Sequence, residues 1–147
     1  MVNDLNDLVS DLLRQHNGGE VFFDHLDEAL RNSSTIMEAL IKTLREKTGR
    51  IICSGKFGRV FANVAPEPVI VVNGGLRSGE KIDDLSYLDL KGQKFIFVDD
   101  SFYLGRTRDR IKDELERQGA HLIHTFVIYD GSKIKDENVT SLYRYHK

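Results

Sequence analysis

Two adjacent carboxylates, Asp99 and Asp100, follow an apolar run at residues 95–98 and precede a predicted helix. The run is typical of a short strand that is buried on both faces. Carboxylates at the end of such a strand accept hydrogen bonds from sugar hydroxyls or engage a hydrated Mg²⁺ ion. They cannot bind phosphate directly, because they carry the same sign of charge.

The segment after the carboxylates favours anions instead. A loop containing Gly105 leads into a helix that we predict over residues 106–118, with Gly119 as its stop signal. Backbone N–H groups at a helix start point outward with the positive end of the helix dipole, and the Thr107 hydroxyl adds a donor. A sugar phosphate would satisfy both the acidic half and the phosphate-binding half of this site.

These residues resemble the phosphoribosyl-pyrophosphate (PRPP) motif of type I phosphoribosyltransferases. That motif is an apolar strand followed by Asp-Asp, four residues, glycine, any residue and threonine. The form Tyr103-x-Gly105-Arg106-Thr107 is closest to the version in the pyrimidine-operon attenuator/uracil phosphoribosyltransferase, and the family usually has threonine in place of Leu104. The resemblance implies that the acidic pair holds the ribose. It also implies substrate contacts by Ser101, Phe102, Tyr103, Leu104, Gly105, Arg106 and Thr107.

Two other interpretations of the acidic pair are possible. It can be a solvated loop after a strand. The sequence Val-Asp-Asp-Ser at 98–101 also resembles the acidic pair of response-regulator receiver domains, where a phosphoacceptor aspartate and a lysine follow on later strands. Only 47 residues follow Asp100, which is too few for four more strand–helix units, so length excludes a receiver domain.

Composition narrows the class of protein. The chain has 147 residues, 40% of them hydrophobic, which predicts a single domain spanning 1–147 with one core. Its net charge of −2 gives no drive toward nucleic acid or an anionic membrane. The attenuator resemblance raises RNA binding, but the overall acidity argues against it without a basic face. The single cysteine, Cys53, lies in a predicted strand, where we expect it to be a small buried side chain. Because one cysteine cannot form a disulfide framework, we expect the protein in a reducing cytoplasm. No signal peptide or membrane span is expected.

Residues 1–48 are predicted to be a helical segment. Apolar residues recur at helical spacing over 4–16 and 20–31. Thr35 and Glu38 have the spacing of a capping box and open a third helix that ends near Lys47. The inward stripe of this helix is Met37, Leu40, Ile41 and Leu44. Such leading helices cover a sheet or form a dimer contact, and we expect a homo-oligomer.

Residues 49–147 are predicted to be an α/β core. Strands at 50–54, 69–72, 95–98 and 122–128 with helical connections indicate a mainly parallel sheet flanked by helices, and the tail adds an edge strand. If 95–98 pairs beside 50–54 with 69–72 on the far side, the strand order reverses at the carboxyl end of the first strand. Ligands of open α/β sheets bind at that point. The resemblance implies a phosphoribosyltransferase-like fold.

A glycine-bracketed basic loop is predicted at residues 55–59, directly after the first core strand, with a helical turn over 60–64. Glycines allow a close backbone approach, and Lys56 and Arg59 supply positive charge, although an ordinary turn is equally compatible. In the family a comparable loop holds the pyrophosphate of PRPP. The resemblance therefore implies pyrophosphate contacts by Ser54, Gly55, Lys56, Phe57, Gly58 and Arg59.

Two further segments receive roles from the resemblance. The glycine-rich segment 73–81 is predicted to be a mobile loop whose basic residues Arg77 and Lys81 close over pyrophosphate, and a plain solvated loop is the alternative. Tyr129 and Asp130 follow the last core strand, where the family contacts the nucleobase. They are candidates to stack on the base and to hydrogen-bond with it.

The resemblance implies transfer of phosphoribose from PRPP–Mg²⁺ to a nucleobase or another nitrogen nucleophile, as in nucleotide salvage. Asp99, Asp100 and Lys56 would be the catalytic residues, and Asp99 and Asp100 the metal-binding ones. A non-catalytic regulator that binds PRPP or a nucleotide is the alternative, and a partner-binding domain with a vestigial site is the third. Leu104, the short mobile loop and the lack of a clear base-binding hood favour the regulator. Because both carboxylates are predicted outside the core, replacing both by asparagine should abolish turnover with little loss of stability.

Overall fold

The computed structural model describes residues 28–45, 49–73 and 85–144, together with the single position 7. Five strands form one sheet in the order β2-β1-β3-β4-β5, and every neighbouring pair is parallel. The strands are β1 Arg50–Ser54, β2 Val69–Val72, β3 Lys94–Phe102, β4 His121–Asp130 and β5 Val139–Arg144. The longer helices of this part of the chain are α1 Ser34–Leu44, α2 Gly55–Val64 and α3 Arg106–Arg117. The parallel α/β architecture predicted from the sequence is confirmed.

Helices cover both faces of the sheet. Alternate residues of β3 enter different apolar clusters, because successive side chains of a strand point to opposite faces. Ile96 and Val98 pack with α1 and α2, whereas Phe95 and Phe97 pack with α3. Cys53 is fully buried in the first cluster, as predicted.

The central strand is longer than predicted. β3 continues through Phe102, and its extra residues pair with β4, with Asp99 opposite Val127 and Phe102 opposite Asp130. Aspartate has a low strand propensity, but a parallel partner supplies the backbone hydrogen bonds. The two carboxylates are therefore strand residues, and the strand does not end at Val98 as predicted.

The predicted basic loop is wrong as well, because residues 55–59 are the first turns of α2. The side chains of Phe57 and Phe61, one helical turn apart, stack with ring centroids 5.5 Å apart and are both buried. This apolar pair gives the segment a core-facing stripe. The predicted turn over 60–64 is the second half of the same helix, which ends at Val64, with Ala65 as its C-cap just before Pro66.

The leading helix α1 has its N-cap two residues earlier than predicted. The Ser33 hydroxyl caps it by accepting a hydrogen bond of 3.3 Å from the Ile36 N–H, so Thr35 is inside the helix and the predicted capping box is wrong. The predicted inward stripe is confirmed by the burial of Met37, Leu40 and Leu44 and by the packing of Ile41 against them. The predicted helix over 4–16 and the first part of the helix over 20–31 lie outside the described residues, and residues 28–32 are helical.

The tail forms an edge strand, as predicted. β5 runs parallel to β4, with Thr125 opposite Val139 and Tyr129 opposite Tyr143. Residues 85–90, before β3, are irregular and bury Leu85 and Leu90 against the α3 face. Within the described segments, every helix is too short or too polar to cross a bilayer.

Candidate functional site

The candidate site lies at the carboxyl edge of β1 and β3. Ile52 of β1 is opposite Phe97 of β3, so the same register brings Ser54 level with Asp99 two residues later. β2 lies on one side of β1 and β3 lies on the other, so the strand order reverses here as predicted. Crevices at such reversals bind ligands in open α/β sheets.

Two helix N-termini flank this point. α2 follows β1 directly, with Ser54 as N-cap, and α3 follows β3 after a short loop, with Gly105 as N-cap in a left-handed conformation (φ 76°). Neither N-cap residue makes a side-chain capping hydrogen bond. Because the first N–H groups of a helix have no acceptor within the helix, each N-terminus offers outward donors and a positive dipole end. The edge therefore carries two helix N-termini whose free N–H groups can attract an anion.

At the start of α2, some of the residues predicted to hold pyrophosphate are exposed and others are buried. Lys56 and Arg59 are exposed, and a side chain built at Gly55 would meet nothing within 4 Å, so this turn is open to a ligand. Phe57 is in the core, and a Cβ at Gly58 would lie 2.9 Å from Val71 Cγ1. The glycine at position 58 thus allows the helix to pack against the sheet, and these two residues can offer a ligand only backbone groups.

The two carboxylates of the acidic pair also differ in their burial. Asp99 is half-buried, and its Oδ1 accepts a hydrogen bond of 2.9 Å from the Asp100 N–H. Asp100 is only 8% exposed, which corrects the prediction that it lies outside the core. Its Oδ1 accepts from the Ser101 N–H at 2.9 Å, and its Oδ2 lies 3.8 Å from Arg31 Nη1. Asp99 is therefore the carboxylate that a sugar hydroxyl can reach more easily.

Burial also affects the charge of Asp100. Desolvation raises the pKa of this carboxyl, while hydrogen bonding with Asp99 and the positive charge of Arg31 lower it and partly offset the effect. Arg31 belongs to the helical residues 28–32, next to the fully buried Leu30. The leading helical segment thus reaches the acidic pair, a contact that the sequence did not indicate.

The acidic pair can bind Mg²⁺ only together with ligands from waters or a substrate. Among the described residues, no group of three or more His, Cys, Asp or Glu side chains is placed to hold a metal ion. Asp99 and Asp100 are oxygen ligands of the kind that Mg²⁺ prefers, but they provide only a partial shell. Mg²⁺ often keeps several waters and binds through one or two carboxylates plus substrate phosphates. The pair fits a metal ion that arrives with its substrate.

Residues 103–105 form the short loop between β3 and α3, which we call the phosphate loop because the resemblance implies phosphate contacts there. Leu104 is 73% exposed, Arg106 is exposed and Thr107 is half-buried, so these three positions border solvent. Ser101 is half-buried in β3, whereas Phe102 packs in an apolar cluster with β4 and β5 and presents no side chain to the site. The donors at this end are the backbone N–H groups of the first turn of α3, the Thr107 hydroxyl and the exposed Arg106 guanidinium.

The predicted base-contacting residues are buried. Tyr129 is 3% exposed, and its ring lies between those of Tyr103 and Tyr143, with centroids 6.0 Å and 5.7 Å away. Asp130 is 1% exposed and accepts hydrogen bonds from the Ser132 N–H at 2.9 Å and from its hydroxyl at 2.6 Å. In this arrangement neither side chain presents a surface to a nucleobase. Arg77 and Lys81 lie outside the described residues.

Comparisons with known proteins agree with this architecture. Neither a known family model nor a curated protein sequence matches the chain. Among solved structures, adenine phosphoribosyltransferase from Thermoanaerobacter pseudethanolicus is similar, with a TM-score of 0.58 and 17% identity over 74% of this chain and 77% of that chain. Orotate phosphoribosyltransferase from Aeropyrum pernix gives 0.56 and 13% over 78% and 75%. A hypothetical protein from Neisseria gonorrhoeae with bound ppGpp gives 0.52 and 17% over 78% and 82%. The chain therefore has the fold of the type I phosphoribosyltransferases.

Proposed function

We propose that this protein binds PRPP with Mg²⁺ and transfers its phosphoribosyl group to a nucleobase or another nitrogen nucleophile. The observation that carries the proposal is the arrangement at the carboxyl edge of β1 and β3. Two helix N-termini without side-chain caps flank the Asp99–Asp100 pair at the point where the strand order reverses. A ligand with two anionic groups on one sugar has the matching chemistry.

The proposed pose assigns each part of PRPP to one element. The 5′-phosphate binds the N–H groups at the start of α3 and the Thr107 hydroxyl, as anions bind at other helix N-termini. The ribose hydroxyls donate to Asp99, the accessible carboxylate of the pair. The diphosphate binds at the start of α2, where Lys56 and Arg59 are exposed and can neutralise it.

The proposed reaction breaks the bond between the anomeric carbon and the diphosphate oxygen and forms a bond to the acceptor nitrogen. The transition state has oxocarbenium character, so the protein supplies position and charge and forms no covalent bond with the substrate. Bound Mg²⁺ would supply Lewis-acid neutralisation of the leaving diphosphate. Asp99 fixes the ribose, the α3 start holds its phosphate, and Lys56 stabilises the departing negative charge.

A non-catalytic regulator on the same fold is the second candidate. Three observations favour it: Leu104 stands where the resembling family has threonine, Arg31 contacts the Asp100 carboxylate, and Tyr129 is covered. One similar structure holds ppGpp, which carries two diphosphates on one ribose and thus has the same ligand chemistry. Under this proposal the site senses a nucleotide or PRPP without turnover.

Calorimetric titration with PRPP and Mg²⁺ tests the shared part of both proposals. We expect binding by the natural chain and by the control Asp113→Asn, an exposed carboxylate on α3, and a large loss of affinity in Asp99→Asn. Absence of PRPP binding by the natural chain would refute the transferase proposal. A pyrophosphate-release assay with purine and pyrimidine bases then separates the candidates, because a regulator binds PRPP and releases none. Sedimentation of the same samples tests the predicted homo-oligomer.

A further inference from the structure

The loop between β4 and β5, residues 131–138, makes one contact beside the phosphate loop and one with the first turn of α3. The first is Gly131, whose N–H donates a hydrogen bond of 2.9 Å to the Phe102 carbonyl. A Cβ at this position would lie 2.7 Å from Tyr103 Cε1 and 2.8 Å from Tyr103 Cδ1. Such distances are inside van der Waals contact, so only glycine lets the Tyr103 ring lie against this backbone.

The second contact is an arginine bridge. Arg108, in the first turn of α3, donates from Nη1 to Asp136 Oδ2 at 2.7 Å and from Nε to Asp109 Oδ1 at 2.8 Å. Its guanidinium lies over the Phe102 ring, 5.1 Å from the centroid. A Cβ at Gly105 would be 2.9 Å from Arg108 Nη2, so the guanidinium also packs against the N-cap of α3.

The positive charge of Arg108 is therefore already paired within the protein. Two carboxylates neutralise the guanidinium, and its side chain is only 17% exposed. An arginine so close to a phosphate site could be taken for a ligand, but this one is held against Asp136. Its geometry is that of a connection between the start of α3 and the 131–138 loop.

We propose that Gly131 and Asp136 are positioning residues for the phosphate loop. Gly131 fixes Tyr103 in the loop, and Asp136 fixes Arg108 in the first turn of α3, so the N–H groups of 104–107 between these two contacts keep one orientation. An oriented set of donors binds an anion well only if its geometry is held before the ligand arrives. This inference deepens the proposed function and rests on it for the identity of the ligand.

Binding of the two halves of the ligand, measured separately, distinguishes a positioning role from a structural one. Ribose 5-phosphate uses the start of α3, whereas inorganic pyrophosphate uses the start of α2. In titrations of the full chain, we expect Asp136→Asn to weaken ribose 5-phosphate binding by about tenfold and to leave pyrophosphate binding within about twofold. The matched control is Glu137→Gln, an exposed neighbour, which should change neither. Equal loss of both ligands in Asp136→Asn would overturn the proposal.

A double-variant cycle tests whether Asp136 acts through Arg108. Arg108→Met should weaken ribose 5-phosphate binding to a similar extent, and adding Asp136→Asn to it should have little further effect. Additive losses would show that Asp136 acts by another route and would overturn the assignment.

Amide hydrogen exchange provides a readout without ligand. Exchange over residues 103–107 should be faster in Asp136→Asn and in Gly131→Ala than in the natural chain and Glu137→Gln, with the core strands unchanged. Unchanged exchange in Asp136→Asn would overturn the inference even if Gly131→Ala fails to fold. Faster exchange in a chain that binds neither ligand would keep the positioning role and refute the proposed function.

Discussion

Replacing Leu104 by threonine should strengthen the phosphate site. Leu104 is 73% exposed in the phosphate loop, and the phosphoribosyltransferases that this motif resembles usually have threonine there. An exposed side chain makes few contacts, so the substitution should change the free energy of unfolding by no more than about 0.5 kcal/mol. The new hydroxyl is free to rotate toward a phosphate at the start of α3.

The expected gain follows from the energy of one hydrogen bond to a charged group. Such a bond contributes about 1.5–3 kcal/mol, because the phosphate is ionised. Since about 1.4 kcal/mol corresponds to a factor of ten, Leu104→Thr should bind ribose 5-phosphate about 10 to 150 times more tightly. Pyrophosphate affinity should stay unchanged, because that ligand uses the start of α2.

The assay is calorimetric titration of ribose 5-phosphate and of pyrophosphate into three chains. The matched control is Leu104→Val, which has nearly the shape of threonine without its hydroxyl. Equal affinities of the threonine and valine variants would refute the reasoning, since they would show that the hydroxyl does not reach the phosphate. A gain for both ligands in Leu104→Thr would place the effect outside the α3 site.

Three further predictions test the rest of the edge. Gly58→Ala should lower the free energy of unfolding in urea by about 1–2 kcal/mol, because overpacking against Val71 outweighs the gain in helix propensity, and a more stable variant would contradict this. Burial raises the pKa of Asp100 above its unfolded value, so its ionisation destabilises the fold as pH rises through the folded pKa, and the cost vanishes in acid. The stability of Asp100→Asn relative to the natural chain should therefore rise from acid to neutral pH in urea titrations, and a pH-independent difference would argue against it. Lys56→Met should weaken pyrophosphate binding and its salt dependence while leaving ribose 5-phosphate binding intact, and parallel losses of both ligands would count against the assigned pose.

The elements around the acidic pair could be predicted because their signals are local. The apolar run at 95–98 indicates a buried strand, and the stretch that ends at Gly119 indicates a helix, so the order of strand, carboxylates and helix follows from sequence. The sheet order also follows, since parallel crossovers and the reversal at the first core strand leave few arrangements. These features position the site.

The prediction failed where tertiary contacts override local preference. Glycines at 55 and 58 favour a loop by propensity, but burial of Phe57 and Phe61 makes the segment helical. Asp99 and Asp100 favour a loop as well, but pairing with β4 extends the strand through them. In the second case the decisive partner, β4, is distant in sequence, and in the first case the helix is fixed by packing of its apolar stripe into the core.

Contacts between residues distant in sequence also determine which individual side chains are buried or paired. Tyr129 was predicted to contact a base from its place in the sequence, which could not show that its ring is buried and stacks on Tyr143 in the fold. Arg31 carried no signal, because a surface arginine on a helix looks the same whether or not it meets a carboxylate from β3. The supporting role of Asp136 required the fold, since its arginine partner is 28 residues away.

The two helix N-termini at the edge come with the fold itself. A parallel sheet with helical crossovers brings helix N-termini to the carboxyl edge of its strands, whatever reaction follows. The side chains added to that edge therefore decide between a transferase and a regulator. Asp99 is the accessible carboxylate, Asp100 is paired with Arg31, and Leu104 provides no hydroxyl donor for a phosphate. If Leu104→Thr raises PRPP affinity and also yields pyrophosphate release that the natural chain lacks, the chain is a regulator that lost turnover at this position.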